Sequence, residues 1–265
     1  MSPTEYRGPS GRLVNTAALR KGSIHDDAAA QALGFRGAFV PGSVVGTRAL
    51  EAATALLGEA WLDSGSYRMT FVTPVYSGDD VHAAGESVST GAEMRVETGE
   101  GRLCCSGVAG GGYSLPWDPG ADWTRGADDV LPAIERGFAF GEMAFEVTPA
   151  EVSQLVAASG AGTQAFMPEG GLVPPEHLQK VALDLVRTKR LGVEGVRDPG
   201  MWAEHCLAYR EPLRTGIGYR MVEQVVDKGR SGRTIFLTYE FAVENARGDE
   251  VARGRHKVKW LAADR

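Results

Sequence analysis

The chain has 265 residues, 43% hydrophobic and 23% charged, which is enough apolar material for a sizeable core and the length of two domains of roughly 130 residues. A net charge of -6 and a pI near 5.5 argue against nucleic acid as the main partner, because a phosphate-binding face needs clustered Lys and Arg. The cysteines Cys104, Cys105 and Cys206 form neither a disulfide framework nor a Cys-x-x-Cys zinc pair, and no apolar run is long enough to span a bilayer, so a cytoplasmic protein away from membranes is expected.

In chain order, the first ~20 residues are polar and rich in Gly and Pro, and read as an irregular lead-in. Asp26 to Leu33 is an Ala-rich helix stopped by Gly34. Ser43 to Leu57 is apolar almost all round, so this helix is expected to be wrapped by other elements until Gly58 ends it. The period then switches to strands over Tyr67–Tyr76, Val81–Val88, Glu93–Thr98 and Arg102–Ala109. Three Gly residues from Gly110 close this half, and residues 115–137 read as a Pro/Gly/Asp-rich linker. A second set follows: a short strand at Phe145–Val147, a helix opened by the capping box Thr148-Pro149-Ala150-Glu151, and a helix from Pro174 to about Arg190. Strands over Trp202–Arg210, Ile217–Val226, Thr234–Val243 and Val251–Trp260 complete it.

The two sets repeat. Pro74 and Gly78 match Pro212 and Gly216 at an offset of 138, and Val40-Pro41-Gly42 matches Val173-Pro174-Pro175 at an offset of 133. Each unit is a buried helix followed by antiparallel strands. The expected domains are residues 1–114, the linker 115–137, and a degenerate half 138–265.

Of the five histidines, His82 and His256 read as surface or sheet-lining residues, and His177 and His205 as residues without a chemical role. His25 differs. It stands in the turn Gly22-Ser23-Ile24-His25-Asp26-Asp27, with two carboxylates after it that can fix its tautomer or raise its basicity. Val40-Pro41-Gly42 then opens the apolar helix, whose first turn offers free N–H groups that a ligand can approach closely at Gly42. A base beside such donors suits proton abstraction next to a thioester carbonyl, with the enolate oxygen held by N–H groups.

The segment Ile24-His25-Asp26-Asp27, with Ala28, Ala32, Gly34-Phe35-Arg36-Gly37 and Val40-Pro41-Gly42, resembles the hydratase segment of MaoC-like (R)-specific hydratases and dehydratases. Pro74-Val75-Tyr76-Ser77-Gly78-Asp79 resembles the strand end that follows it in that family. The resemblance implies an α+β double hotdog: two antiparallel sheets, each wrapping a central helix, fused in one chain. It implies a lyase adding water to, or removing it from, an acyl thioester on CoA or a carrier protein. The residues themselves offer no Gly-x-Gly-x-x-Gly or Walker motif and no metal-ligand spacing, so neither a cofactor nor a metal is expected. His25 matches the catalytic His and Gly42 the oxyanion-hole Gly, with Phe39, Val40 and Ser43 beside the substrate. The family carries a catalytic Asp five residues before the His; here that residue is Arg20. Asp26 or Asp27 could replace it, although Asp27 is expected to cap the helix. In the second half Ala161 takes the Asp position, and no His follows. Three alternatives share the scaffold: an isomerase or cyclase that needs His25 but not the Asp, a non-catalytic acyl-binding subunit, and a thioesterase. Homodimerisation is compatible with each.

Overall fold

The computed structural model describes residues 4–112, 130–166, 171–188 and 196–262. Helix α1 (Asp27–Ala32) ends where Gly34 takes φ 89°, a backbone region that disfavours any side chain. Helix α2 (Gly42–Leu57) is buried on nearly every side, as its run of Ala, Val and Leu requires. It packs across β4 (Asp80–Val88), β5 (Gly91–Thr98) and β6 (Leu103–Gly111). Along β5 every second residue is buried, and Met94 and Val96 join the core that α2 covers.

The second half contains β7 (Ala139–Glu146), α3 (Pro149–Ser159), α4 (Pro175–Thr188), β8 (Val196–Tyr209), β9 (Gly218–Ser231), β10 (Thr234–Glu244) and β11 (Glu250–Ala262). Both α3 and α4 pack on α2. Arg48, buried in the middle of α2, ties the halves together. Its Nη1 donates to the Gly160 carbonyl at 2.7 Å and pairs with Glu51, while Nη2 donates to the Pro9 carbonyl.

The two expected sheets join edge to edge into one continuous sheet. Strand β3 (Gly65–Phe71) pairs antiparallel with β8 from Ser66↔Ala208 to Thr70↔Glu204, and with β1 (Glu5–Arg7) at one edge the order is β1-β4-β5-β6-β3-β8-β11-β10-β9-β7. Pairing removes an exposed edge from each half. Arg68 locks the seam, with Nε 2.7 Å from Glu204 Oε1. The repeat also appears as hydrogen bonds. Val40 N–H donates to Val75 O at 2.8 Å, and Val173 N–H donates to Leu213 O at 2.9 Å. The bridges Phe39↔Tyr76 and Leu172↔Arg214 sit beside them. These partners are offset by 133 and 138 residues, like the Pro/Gly motifs.

Three expectations change. The lead-in contains strands β1 (Glu5–Arg7) and β2 (Gly11–Arg12), both paired with β4. Such edge pairing uses backbone groups and leaves no apolar alternation to read. Strand β3 stops at Phe71 rather than Tyr76, because Pro74 has no N–H to donate to a ladder. Residues 115–129 of the expected linker lie outside the described residues, whereas Val130, Leu131 and Ile134 are buried in the core.

Candidate active site

His25 is half-buried and held from several directions. Its backbone N–H donates to Ser23 Oγ at 3.3 Å, and its carbonyl accepts from Asn15 Nδ2 at 3.0 Å. Phe39 N–H donates to Ile24 O at 3.0 Å, which sews the turn to the segment that leads into α2. The imidazole Nδ1 lies 2.9 Å from Phe39 O. A carbonyl can only accept, so this contact selects the tautomer protonated at Nδ1 and puts the basic lone pair on Nε2. Only Val40 and Pro41 separate Phe39 from Gly42, so the chain holds the imidazole anchor within ~11 Å of the start of α2.

The two carboxylates that follow His25 bind backbone. Asp26, not Asp27, caps α1: its Oδ1 accepts from Ala28 N at 2.9 Å and its Oδ2 from Gly22 N at 3.3 Å. Desolvation pushes the Asp26 pKa up, but these N–H groups and Lys21 together hold it below the usual value. Asp27 is the first residue of the helix, and its Oδ1 accepts from Ala38 N at 2.7 Å. It positions the segment that carries Phe39. Arg20 reaches toward α4, with Nη1 3.9 Å from Asp184.

Gly42 is the first residue of α2, after Pro41, which supplies no side-chain cap. The N–H groups of Val44 and Val45 already bond Pro41 O. Those of Gly42 and Ser43 have no acceptor within the helix and carry the positive end of its dipole. Val40 and Ser43 are buried. Phe39 sits in a small separate cluster with Ile24 and Ala30, edge-on to Phe35 (4.8 Å) and Tyr76 (5.5 Å).

A second group of polar side chains lies close by and was not anticipated. Trp202 on β8 rests against Gly42 so closely that a Cβ there would stand 2.4 Å from indole Cε3. Behind the indole, His205 Nε2 lies 2.9 Å from Glu176 Oε1, both side chains fully buried. The Glu176 carboxyl rests on Gly46 of α2, where a Cβ would stand 2.3 Å from Oε2. Gln179 Oε1 lies 3.0 Å from His256 Nδ1, and Gln179 Nε2 donates to Cys206 O at 3.1 Å. Tyr67 faces Glu176, and burial first, then that carboxyl, push its pKa well up, so it remains an O–H donor. These residues come from β3, α4, β8 and β11, so no local motif announces them. The available signal was Gly46, a glycine inside a helix, which marks a close approach. Among the described residues no three His, Cys, Asp or Glu side chains gather as metal ligands, and no helix is long and apolar enough to cross a membrane.

No family model and no curated protein matches the sequence. Solved structures do match. The chain is similar to a MaoC domain protein dehydratase from Chloroflexus aurantiacus, at 12% identity and TM-score 0.65, covering 98% of this chain and 95% of that one. It is similar to a conserved hypothetical protein of Mycobacterium tuberculosis with a double hotdog fold, at 15% identity and TM-score 0.65, covering 98% and 97%. An isomerase-inactive variant of GphF DH1 matches at 15% identity and TM-score 0.58, covering 99% and 94%. The chain has the double hotdog fold, the fold of MaoC-like dehydratase structures.

Proposed function

We propose that the chain is a hydratase or dehydratase of acyl thioesters, with His25 as the general acid and base and the Gly42 N–H as the oxyanion donor. The observation that carries this reading is the 2.9 Å contact from His25 Nδ1 to Phe39 O, which fixes the imidazole with its basic nitrogen on Nε2 and anchors it to the segment that leads into α2. In dehydration, Nε2 takes the C2 proton of a 3-hydroxyacyl thioester. The enolate oxygen is held at Gly42, and the proton passes to the departing C3 hydroxyl as the double bond forms. The similarity to a MaoC domain dehydratase supports the same reaction class.

A second reading draws on Arg20. The carboxylate that the family pairs with the His is replaced by a side chain 3.9 Å from Asp184, so nothing supplied at that position activates water. A one-base proton transfer that moves the double bond needs only His25 and the oxyanion donor, and an isomerase-inactive variant is among the similar structures.

Both readings require His25. With 2-enoyl and 3-hydroxyacyl thioesters of CoA as substrates, His25→Ala is expected to lower kcat by about 10²–10⁴ with the melting temperature little changed. Gain or loss of water at C3 supports the lyase, while solvent deuterium entering the acyl chain without water transfer supports the isomerase. Activity of either kind that survives in His25→Ala would overturn both.

A further inference from the structure

The indole of Trp202 fills the space in front of the first turn of α2, against Gly42. It is half-buried and held by edge contacts: Phe71 at 5.9 Å, His205 at 5.5 Å and His256 at 4.5 Å between ring centres. The ladder beneath it is irregular. Val258 pairs with Trp202 and Lys257 with Glu204, which leaves Ala203 as an extra residue at a bulge. Bulges re-aim side chains and loosen pairing locally, so this is a position from which a ring can swing.

Behind the indole, Glu176 Oε2 and His205 Nδ1 are buried and lack a hydrogen-bond partner within ordinary geometry among the described residues, and the buried Tyr67 hydroxyl faces the Glu176 carboxyl. A region that only had to be packed would be apolar, because an unpaired buried polar atom destabilises the fold. The chain instead gathers a carboxyl acceptor, a phenol donor and an imidazole under a ring that abuts the proposed oxyanion donor.

We propose that Trp202 is a plug displaced by substrate, and that Glu176, His205 and Tyr67 form a polar subsite for a hydroxyl group on the acyl chain. This rests on the acyl-thioester reading and narrows it from plain alkyl chains to hydroxylated ones. A hydroxyl donates once and accepts, so it satisfies Glu176 Oε2 and the Tyr67 O–H at the same time. A keto group satisfies only the donor. An alkyl chain offers neither a donor nor an acceptor.

The test uses two 2-enoyl thioesters of CoA of equal length, one alkyl and one with a hydroxyl at the distal carbon. Their Kd values are measured calorimetrically on the full-length His25→Ala protein, which binds without turnover. The hydroxylated compound is expected to bind at least about tenfold more tightly. That ratio should fall toward one when Tyr67→Phe is added, with Glu176→Gln as the alternative should that variant fail to fold. Binding should also change the tryptophan emission, and the change should vanish in Trp202→Phe. Equal affinity for the two thioesters, a ratio unmoved by both subsite variants, or emission that is the same with and without ligand would each overturn the proposal. The Kd ratio is read without turnover, so its failure is distinct from failure of the lyase reading, which is judged by the activity lost in His25→Ala.

Discussion

Glu223 stands on the inward side of β9 with both carboxyl oxygens buried and without a hydrogen-bond partner among the described residues, and burial pushes its pKa up to about 9. The unfolded chain releases this proton near the ordinary value of 4.5, whereas the folded chain keeps it. Between those values the native state binds more protons, so stability falls as pH rises, by roughly 3 kcal/mol at pH 7 on a linkage argument. Glu223→Gln is expected to unfold at the same urea concentration as wild type near pH 4.5 and at a clearly higher one at pH 8. His177 acts in the opposite direction. Burial first, and then Lys180, lower its pKa to about 4 despite the opposing pull of Glu151. As pH drops below about 6.5 the unfolded state gains a proton that the native state refuses, so stability is lost on the way down to pH 4, by up to roughly 3 kcal/mol. Urea midpoints at pH 7 and pH 4.5 should differ less in His177→Gln than in wild type. Equal slopes in the two proteins would show that His177 is not the group responsible.

At the scale of single elements, the sequence is most readable where one short stretch does the whole job. Thr148-Pro149-Ala150-Glu151 spells a capping box, and the structure forms it: Thr148 Oγ1 accepts from Glu151 N at 3.3 Å and Glu151 Oε2 accepts from Thr148 N at 2.9 Å. Thr148→Ala should therefore cost about 1 kcal/mol, read as a shift in the urea midpoint, while the Kd for a thioester stays unchanged because no residue of α3 belongs to the proposed site. The repeat offsets were readable for the same reason, since Pro41, Pro74 and Pro212 mark chain positions where hydrogen bonding must stop or turn. The cap of α1 was harder. Asp26 and Asp27 are adjacent and chemically identical, and only the path of the chain decides that Asp26 caps while Asp27 reaches Ala38 N. The Glu176–His205 pair was illegible. Its members lie 29 residues apart on a helix and a strand, and only the tertiary packing of α4 on α2 brings them under Trp202.

For the whole molecule, the decisive feature is that two repeated units share one sheet and one core. The hydrophobic cluster runs from Leu50 and Met94 through Tyr67 to Leu207, Tyr239 and Phe241 without a break between the halves. The β3–β8 seam, the Arg68–Glu204 pair and the Arg48 bond to Gly160 all cross it. If one half unfolded alone, the other would expose the β3 or β8 edge, and α2 would lose its cover from α3 and α4. The proposed site would go with it, since Gly42 belongs to the first half and Trp202 to the second. The chain should therefore unfold in a single transition despite its internal repeat. Phe241 gives the sharpest test. It is 1% exposed in the second half, and its ring packs so closely on Gly254 that a Cβ there would stand 2.3 Å from Cζ. Phe241→Ala should cost about 3–5 kcal/mol. In a cooperative molecule, amide hydrogen exchange should then accelerate by similar factors in β5 of the first half and in β10 beside the lesion, because both strands exchange through the same global opening. Exchange that quickened in β10 while β5 kept its wild-type protection would show that the halves open separately.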